Sequence, residues 1–165
     1  MSGVNFSFKF LGIHISRDLK WATHTTAVVK KAQQRLYCLR RLRKFKVSPR
    51  ILRAFYNSTI ESILTSGSTA WFGNCTAAER KSLQRVVKSA QRIVGGELPP
   101  LQEVYERRCV AKAESIIKDV HHPSHSLFQP FPLPRPGKRY RSIGSSTTRL
   151  LNSFYPTALR LLNKT

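Results

Sequence analysis

Between Thr23 and Phe45 the apolar residues Val28, Val29, Ala32, Leu36, Leu39 and Leu42 recur at spacings of three and four. That period lays them along one stripe of a long amphipathic helix, which is stable only when other elements cover the stripe. Later segments supply the cover. Ser48-Pro49 reads as the N-cap and first position of a second helix, with Leu52, Phe55, Tyr56, Thr59 and Ile63 facing inward and a stop near Gly67. Thr76-Ala77-Ala78-Glu79 is a capping box that opens a third helix, with Leu83, Val86, Val87, Ala90 and Ile93 inward and an end at Gly95-Gly96. Pro99-Pro100 leads into a fourth, in which Leu101, Val104, Tyr105, Ala113, Ile116 and Ile117 keep helical spacing to about Asp119. The expected fold class is therefore mainly α, a bundle of about four helices.

Both ends of the chain depart from that period. Phe6, Phe8 and Phe10 alternate with Ser7 and Lys9 ahead of Leu11-Gly12-Ile13-His14-Ile15, which reads as a short N-terminal β-strand. No second strand is evident downstream, so the expectation is an orphan strand whose sheet partners lie upstream of Met1. From His121 to Thr148 the chain is rich in Pro, Ser, His and basic residues, and Phe131-Pro132-Leu133-Pro134-Arg135-Pro136 does not hold regular structure. The apolar stretch Phe154 to Leu162 is expected to dock back on the body. The expected organisation is strand and turn over 1–20, helical bundle over 21–119, and a Pro/Ser/Arg-rich basic tail with a short terminal helix over 120–165.

Charge narrows the partner. The chain carries 29 Lys and Arg against 8 Asp and Glu, a formal net charge of +21. A compact body so charged repels itself, and its natural partner is a polyanion whose counterions are released on binding. An anionic membrane surface is the competing polyanion. It calls for lipid-facing Trp, Phe and Leu beside one basic face, whereas Trp21 and Trp71 lie apart and no apolar run reaches spanning length. Nucleic acid is the expected partner, bound through Lys30, Lys31, Arg35, Arg40, Arg41, Arg43, Lys44 and Lys46 of the first helix and its end, and through Arg50 and Arg53 of the second. Arg80, Lys81 and Arg85 add the third helix, Arg107 and Arg108 the fourth, and Lys138, Arg139 and Arg141 the tail. Tyr140, between two of those cations, is a candidate for stacking on an unpaired base. Arg40 to Lys46 also has a structural explanation, because cations suit the negative end of a helix dipole.

Catalytic and metal-binding signatures are missing. Two-metal phosphodiester chemistry needs clustered carboxylates, and the only aspartates are Asp18 and Asp119. His121, His122 and His125 are interrupted by Pro123 and lack a completing Cys, so they read as loop histidines and no metal or cofactor is expected. Gly95-Gly96 is not followed by the Lys-Ser/Thr of a phosphate loop. Cys38, Cys75 and Cys109 form no CxxC pair, which suggests a reducing compartment, and the N-terminus has no secretory-signal pattern. An intracellular, cytoplasmic or nuclear, non-enzymatic protein is expected.

The order of segments carries a resemblance. Phe8-Lys9-Phe10-Leu11-Gly12-Ile13-His14-Ile15, then Leu19-Lys20-Trp21 and His24, then Lys30-Lys31-Ala32 and Leu36 to Leu42, resembles the palm-to-thumb junction of LINE, or non-LTR, retrotransposon reverse transcriptases. Tyr56 to Leu64, Thr69 to Asn74, Leu83 to Gly96 and Tyr105 to Cys109 look like the C-terminal region of such polyproteins of fish type. The resemblance implies a primer-grip-like strand and a thumb-like helical bundle that holds RNA or an RNA–DNA hybrid by its backbone. It does not imply polymerase activity, because no Tyr-x-Asp-Asp element is present.

The stretch from about Thr23 to Gly67 is also similar to a domain family named after the N-terminal domain of an AlkB-type repair homologue. The His-x-Asp of an AlkB-type iron site is absent, as is a Gly-rich methyl-donor loop. Three readings follow. The chain is a sequence-nonspecific nucleic-acid-binding fragment of a reverse transcriptase, or an accessory domain of an AlkB-like oxygenase or methyltransferase, or a truncated transposon relic with no evolved function.

Overall fold

A computed structural model of the chain describes residues 7–131 and 139–164 and is mainly helical. It opens with a hairpin of β1 (Ser7–Phe10) and β2 (Ile13–Ser16), antiparallel, with Phe10 opposite Ile13 and Ser7 opposite Ser16. The two loop residues Leu11 and Gly12 have φ of +47° and +83°, the sign pattern of the tight turn that suits strand twist. The expectation of an orphan strand is thus corrected, because the partner strand follows in the same segment. Its turn is hidden in the sequence by Leu11, a side chain that rarely adopts positive φ.

The chain forms two compact units, one of Met1–Ser68 with Cys75–Leu101 and the other of Thr69–Asn74 with Gln102–Thr165. In the first, α1 (Ala22–Lys44) packs most extensively on α5 (Ala77–Val94). The two run in the same direction, since Ala22 and Thr25 lie beside Ala78 and Glu79 at one end and Arg43 beside Gly95 at the other. Both bonds of the Thr76/Glu79 capping box form, and Gly95, at φ +78°, ends α5. The last turn of α1 closes through Lys46 N–H to Arg43 O and Val47 N–H to Leu42 O, which holds Lys46 at φ +57°.

Against α1 packs one continuous helical rod: α2 (Pro49–Phe55), a π-helical turn (Tyr56–Glu61) and α3 (Ser62–Thr65). Its buried residues are Leu52, Tyr56, Ile60 and Leu64, a strict four-residue repeat. On an α-helix that repeat drifts around the axis, and the wider π turn brings it back to one face. Hydroxyls bond the nearby carbonyls: Thr59 Oγ1 donates to Phe55 O at 2.6 Å, Ser62 Oγ to Ser58 O at 2.7 Å, and Thr65 Oγ1 to Glu61 O at 2.7 Å. Because the buried face runs through Ile60 and Leu64, the residues Phe55, Thr59 and Ile63, expected inward, are only half-buried. With Ala32, Leu36 and Leu39 of α1 and Leu83, Val86, Val87 and Ala90 of α5, the rod completes the core of this unit.

The second unit contains α4 (Ser68–Trp71) from its second residue onward, most of α6 (Leu101–Lys118), a 3-10 turn at His125–Phe128, the short pair β3 (Pro130–Phe131) and β4 (Arg139–Tyr140), α7 (Thr148–Leu151) and α8 (Phe154–Leu162). Ala113 and Ile116 of α6 form a buried cluster with Phe128, Ala158 and Leu159. The terminal stretch packs on α6, and parts of the segment expected to lack regular structure help build this core. Pro132 to Lys138, Lys138 among the expected cations, lie outside the described residues.

Candidate nucleic-acid interface

The parallel packing of α1 on α5 gathers cations that are far apart in the chain. Arg40 of α1 and Arg85 of α5 line one cleft of about 320 Å³ together with Gln33, Leu36, Ser82, Val86 and Ser89. The helices place them there for a simple reason. Leu36 and Val86 are the seam that holds α1 to α5, and Gln33, Arg40, Ser82, Arg85 and Ser89 are the polar neighbours of that seam on one side. The cleft thus offers two guanidinium forks, an amide and two hydroxyls, with no carboxylate in its lining. This donor set matches phosphate oxygens.

A second group gathers where α1 and α5 end side by side. The Arg43 guanidinium approaches Gly95, and Arg53 Nη2 donates to Glu97 O at 2.6 Å. Lys88, Gln91 and Arg92 of α5 line an open groove with Gly96 and Glu97. Two parallel helix C-termini bring two negative dipole ends together, so cations here have a structural role as well. Elsewhere, Lys31 lines a recess with Lys9, His14, His24, Ile63 and Ser66.

The cations of α1 have no ion-pair partner among the described residues. The helix holds no Asp or Glu, and among the described residues none of Lys30, Lys31, Arg35, Arg40, Arg41, Arg43 and Lys44 lies within ion-pair distance of a carboxylate. All of them are exposed, as are Lys46, Arg50, Arg53, Lys81 and Arg85, while Arg80 is half-buried. Arg107, Arg108, Arg139 and Arg141 are exposed in the second unit. Tyr140 is half-buried against the Ala113–Ile116–Phe128 cluster, and its backbone exchanges two hydrogen bonds with the Asn163 side chain, at 2.8 Å and 3.0 Å. Packing accounts for its ring.

Sequence reasoning passed over Tyr37 and Phe45. They flank Arg41 at four residues on either side, with its guanidinium carbon 5.9 Å from each ring centroid, and Arg41 Nη1 donates to Tyr37 Oη at 3.2 Å. The four-residue spacing was a legible signal, masked by the run of cations around it.

The acidities of Asp18, Cys75 and Cys109 are shifted by their surroundings. Asp18 accepts bonds from Ser16 Oγ, the Lys20 amide and the Lys20 ammonium, led by Ser16, and these hold its carboxyl down at about 2. Burial, with Glu79 nearby, pushes the Cys75 thiol up to about 12, and burial raises that of Cys109. Protonated thiols are poor nucleophiles. Among the described residues no group of three or more His, Cys, Asp and Glu is gathered where a metal ion could be held. Likewise no helix there is long and apolar enough to cross a membrane.

A family model described as "Alkylated DNA repair protein alkB homolog 8, N-terminal" matches residues 21–62. The match takes in α1, α2 and the π turn, and with them Gln33, Leu36 and Arg40 of the cleft, but not α5. No curated protein and no solved structure matches the chain.

Proposed function

We propose that this chain is a binding module for nucleic acid, that it grips phosphates without sequence choice, and that it performs no chemistry of its own. The observation that carries the reading is the joining of Arg40 and Arg85 in one carboxylate-free cleft between α1 and α5. Supporting it is the surplus of 29 cations over 8 acids, which on α1 is left without ion pairs among the described residues. Backbone contacts of this kind bring affinity and orientation, while base choice needs groove or edge contacts.

The order of segments in the chain supports a finer assignment, to the thumb-like region of a LINE reverse transcriptase, which would hold RNA or an RNA–DNA hybrid by its backbone. The match over residues 21–62 favours a second reading, an accessory domain of an AlkB-like nucleic-acid-modifying protein. The printed name of that family, an alkylated DNA repair protein, also points to a nucleic acid partner.

The test is fluorescence anisotropy of the full chain with labelled RNA, DNA and RNA–DNA hybrid over a salt series. The proposal expects binding to all three that weakens steeply as salt rises, with the hybrid favoured if the thumb-like assignment holds. Affinity no greater than that of a polylysine control of equal charge contradicts it and leaves the reading of a relic. Saturable binding of ferrous iron or of a methyl donor contradicts the absence of chemistry and supports the accessory-domain reading.

A further inference from the structure

We propose that the outward ridge of α1 is a stacking platform for unpaired bases, built from Tyr37, Arg41 and Phe45. The proposal rests on the nucleic-acid reading above and narrows it to strands whose bases are not all paired.

Tyr37 is 59% exposed and Phe45 70% exposed. A single exposed ring needs no explanation, since much of any protein surface is apolar. Here, however, two rings and a guanidinium follow one another at four-residue steps along a single helix. Arg41 lies 5.9 Å from both ring centroids and donates to the Tyr37 hydroxyl, which groups the three planar side chains on one face of the helix. Contact with Arg41 also steadies the helix through four-residue pairs, but that role needs only one side of each ring.

The neighbourhood decides the occupant. A lipid surface or an apolar protein patch would favour rings set in an apolar field, whereas these lie among Lys30, Arg40 and Lys44 on a helix without a carboxylate. Arg40, adjacent in sequence to Arg41, lines the cleft with Arg85. A single strand with phosphates in the cleft has its bases free to turn toward the ridge, and every base has a π-face on which a ring or a guanidinium can stack. Duplex bases are already stacked and gain nothing from it.

The experiment compares the full chain with a labelled thymidine oligomer and an abasic oligomer of the same length, by anisotropy at fixed salt. The expected result is an affinity for the thymidine strand about ten-fold or more above that for the abasic one. In the doubly substituted Tyr37→Ala/Phe45→Ala chain that preference disappears while abasic binding is unchanged. Both rings are exposed, so helical circular dichroism should be retained. Equal affinity of the wild-type chain for the two strands, or a preference that survives the double substitution, overturns the platform and leaves phosphate binding standing. Absence of salt-sensitive binding to either strand overturns the underlying reading, and the platform with it. Arg40→Ala/Arg85→Ala separates the roles, because it should weaken both strands by the same factor.

Discussion

The imidazole Nδ1 of His24, in the first turn of α1, accepts a hydrogen bond from the backbone N–H of His14 in β2 at 3.3 Å. That bond ties the hairpin to the helix and fixes the ring with Nδ1 unprotonated. His24 is buried, and burial, followed by the nearby His14, lowers its pKa from 6.5 to about 4. Lys9 and Lys31 line the same recess, so a further positive charge is unwelcome there. Between pH 6.5 and 4 the unfolded chain takes up a proton at this position and the folded chain does not. Stability should therefore be undiminished by His24 above about pH 6.5 and should fall as pH drops toward 4, by on the order of 2 kcal/mol. Urea unfolding at several pH values checks this. His24→Asn keeps an acceptor and removes the titration, and its stability should show a shallower slope over the same interval.

The hairpin turn offers a gain. Leu11 is 85% exposed and stands at φ +47°, where a branched L side chain is strained by about 1–2 kcal/mol. Leu11→Asn places Asn-Gly at the two turn positions and removes little packing. Amide exchange in β2 should slow about five-fold, in line with a gain of about 1 kcal/mol. Unchanged or faster exchange would count against the turn geometry.

Gly73 offers a loss. A Cβ there would collide with the Asn152 carbonyl oxygen and lie 2.7 Å from Tyr105 Oη. Gly73→Ala must displace backbone or a buried ring, at a cost of about 1–3 kcal/mol. Thermal unfolding should begin at a lower temperature, while the affinity of the folded protein for nucleic acid should be unaltered, because Arg40 and Arg85 belong to the other unit.

Local signals were readable in the sequence where a single residue type dominates the outcome. Thr76, Glu79 and Gly95 bound α5, Pro49 begins α2, and Phe154 to Leu162 is the span of α8. The hairpin was not readable as such, because its alternation continues through a turn half of which is Leu11. Nor was the π turn, since Leu52, Phe55, Tyr56, Thr59 and Ile63 satisfy an ordinary helical period. Only packing chooses Ile60 and Leu64 instead. The same limit applies to the candidate site. Arg40 and Arg85 each stood out as cations, but their sharing one cleft is a consequence of α1 and α5 packing in parallel, which no local pattern encodes. Tyr140 is the converse: its basic neighbours suggested a role at the surface, and a contact with Asn163 more than twenty residues away draws it into the fold.

Arg40 and Arg85 are proposed to hold phosphates together. The direct measurement is the slope of log affinity against log salt for a single-stranded oligomer, in the wild-type chain and in Arg40→Gln/Arg85→Gln. Each lost phosphate contact removes about 0.7 from the slope, so the double variant should be shallower by about 1.4 and weaker at low salt. A slope and an affinity equal to those of the wild-type chain would contradict the claim.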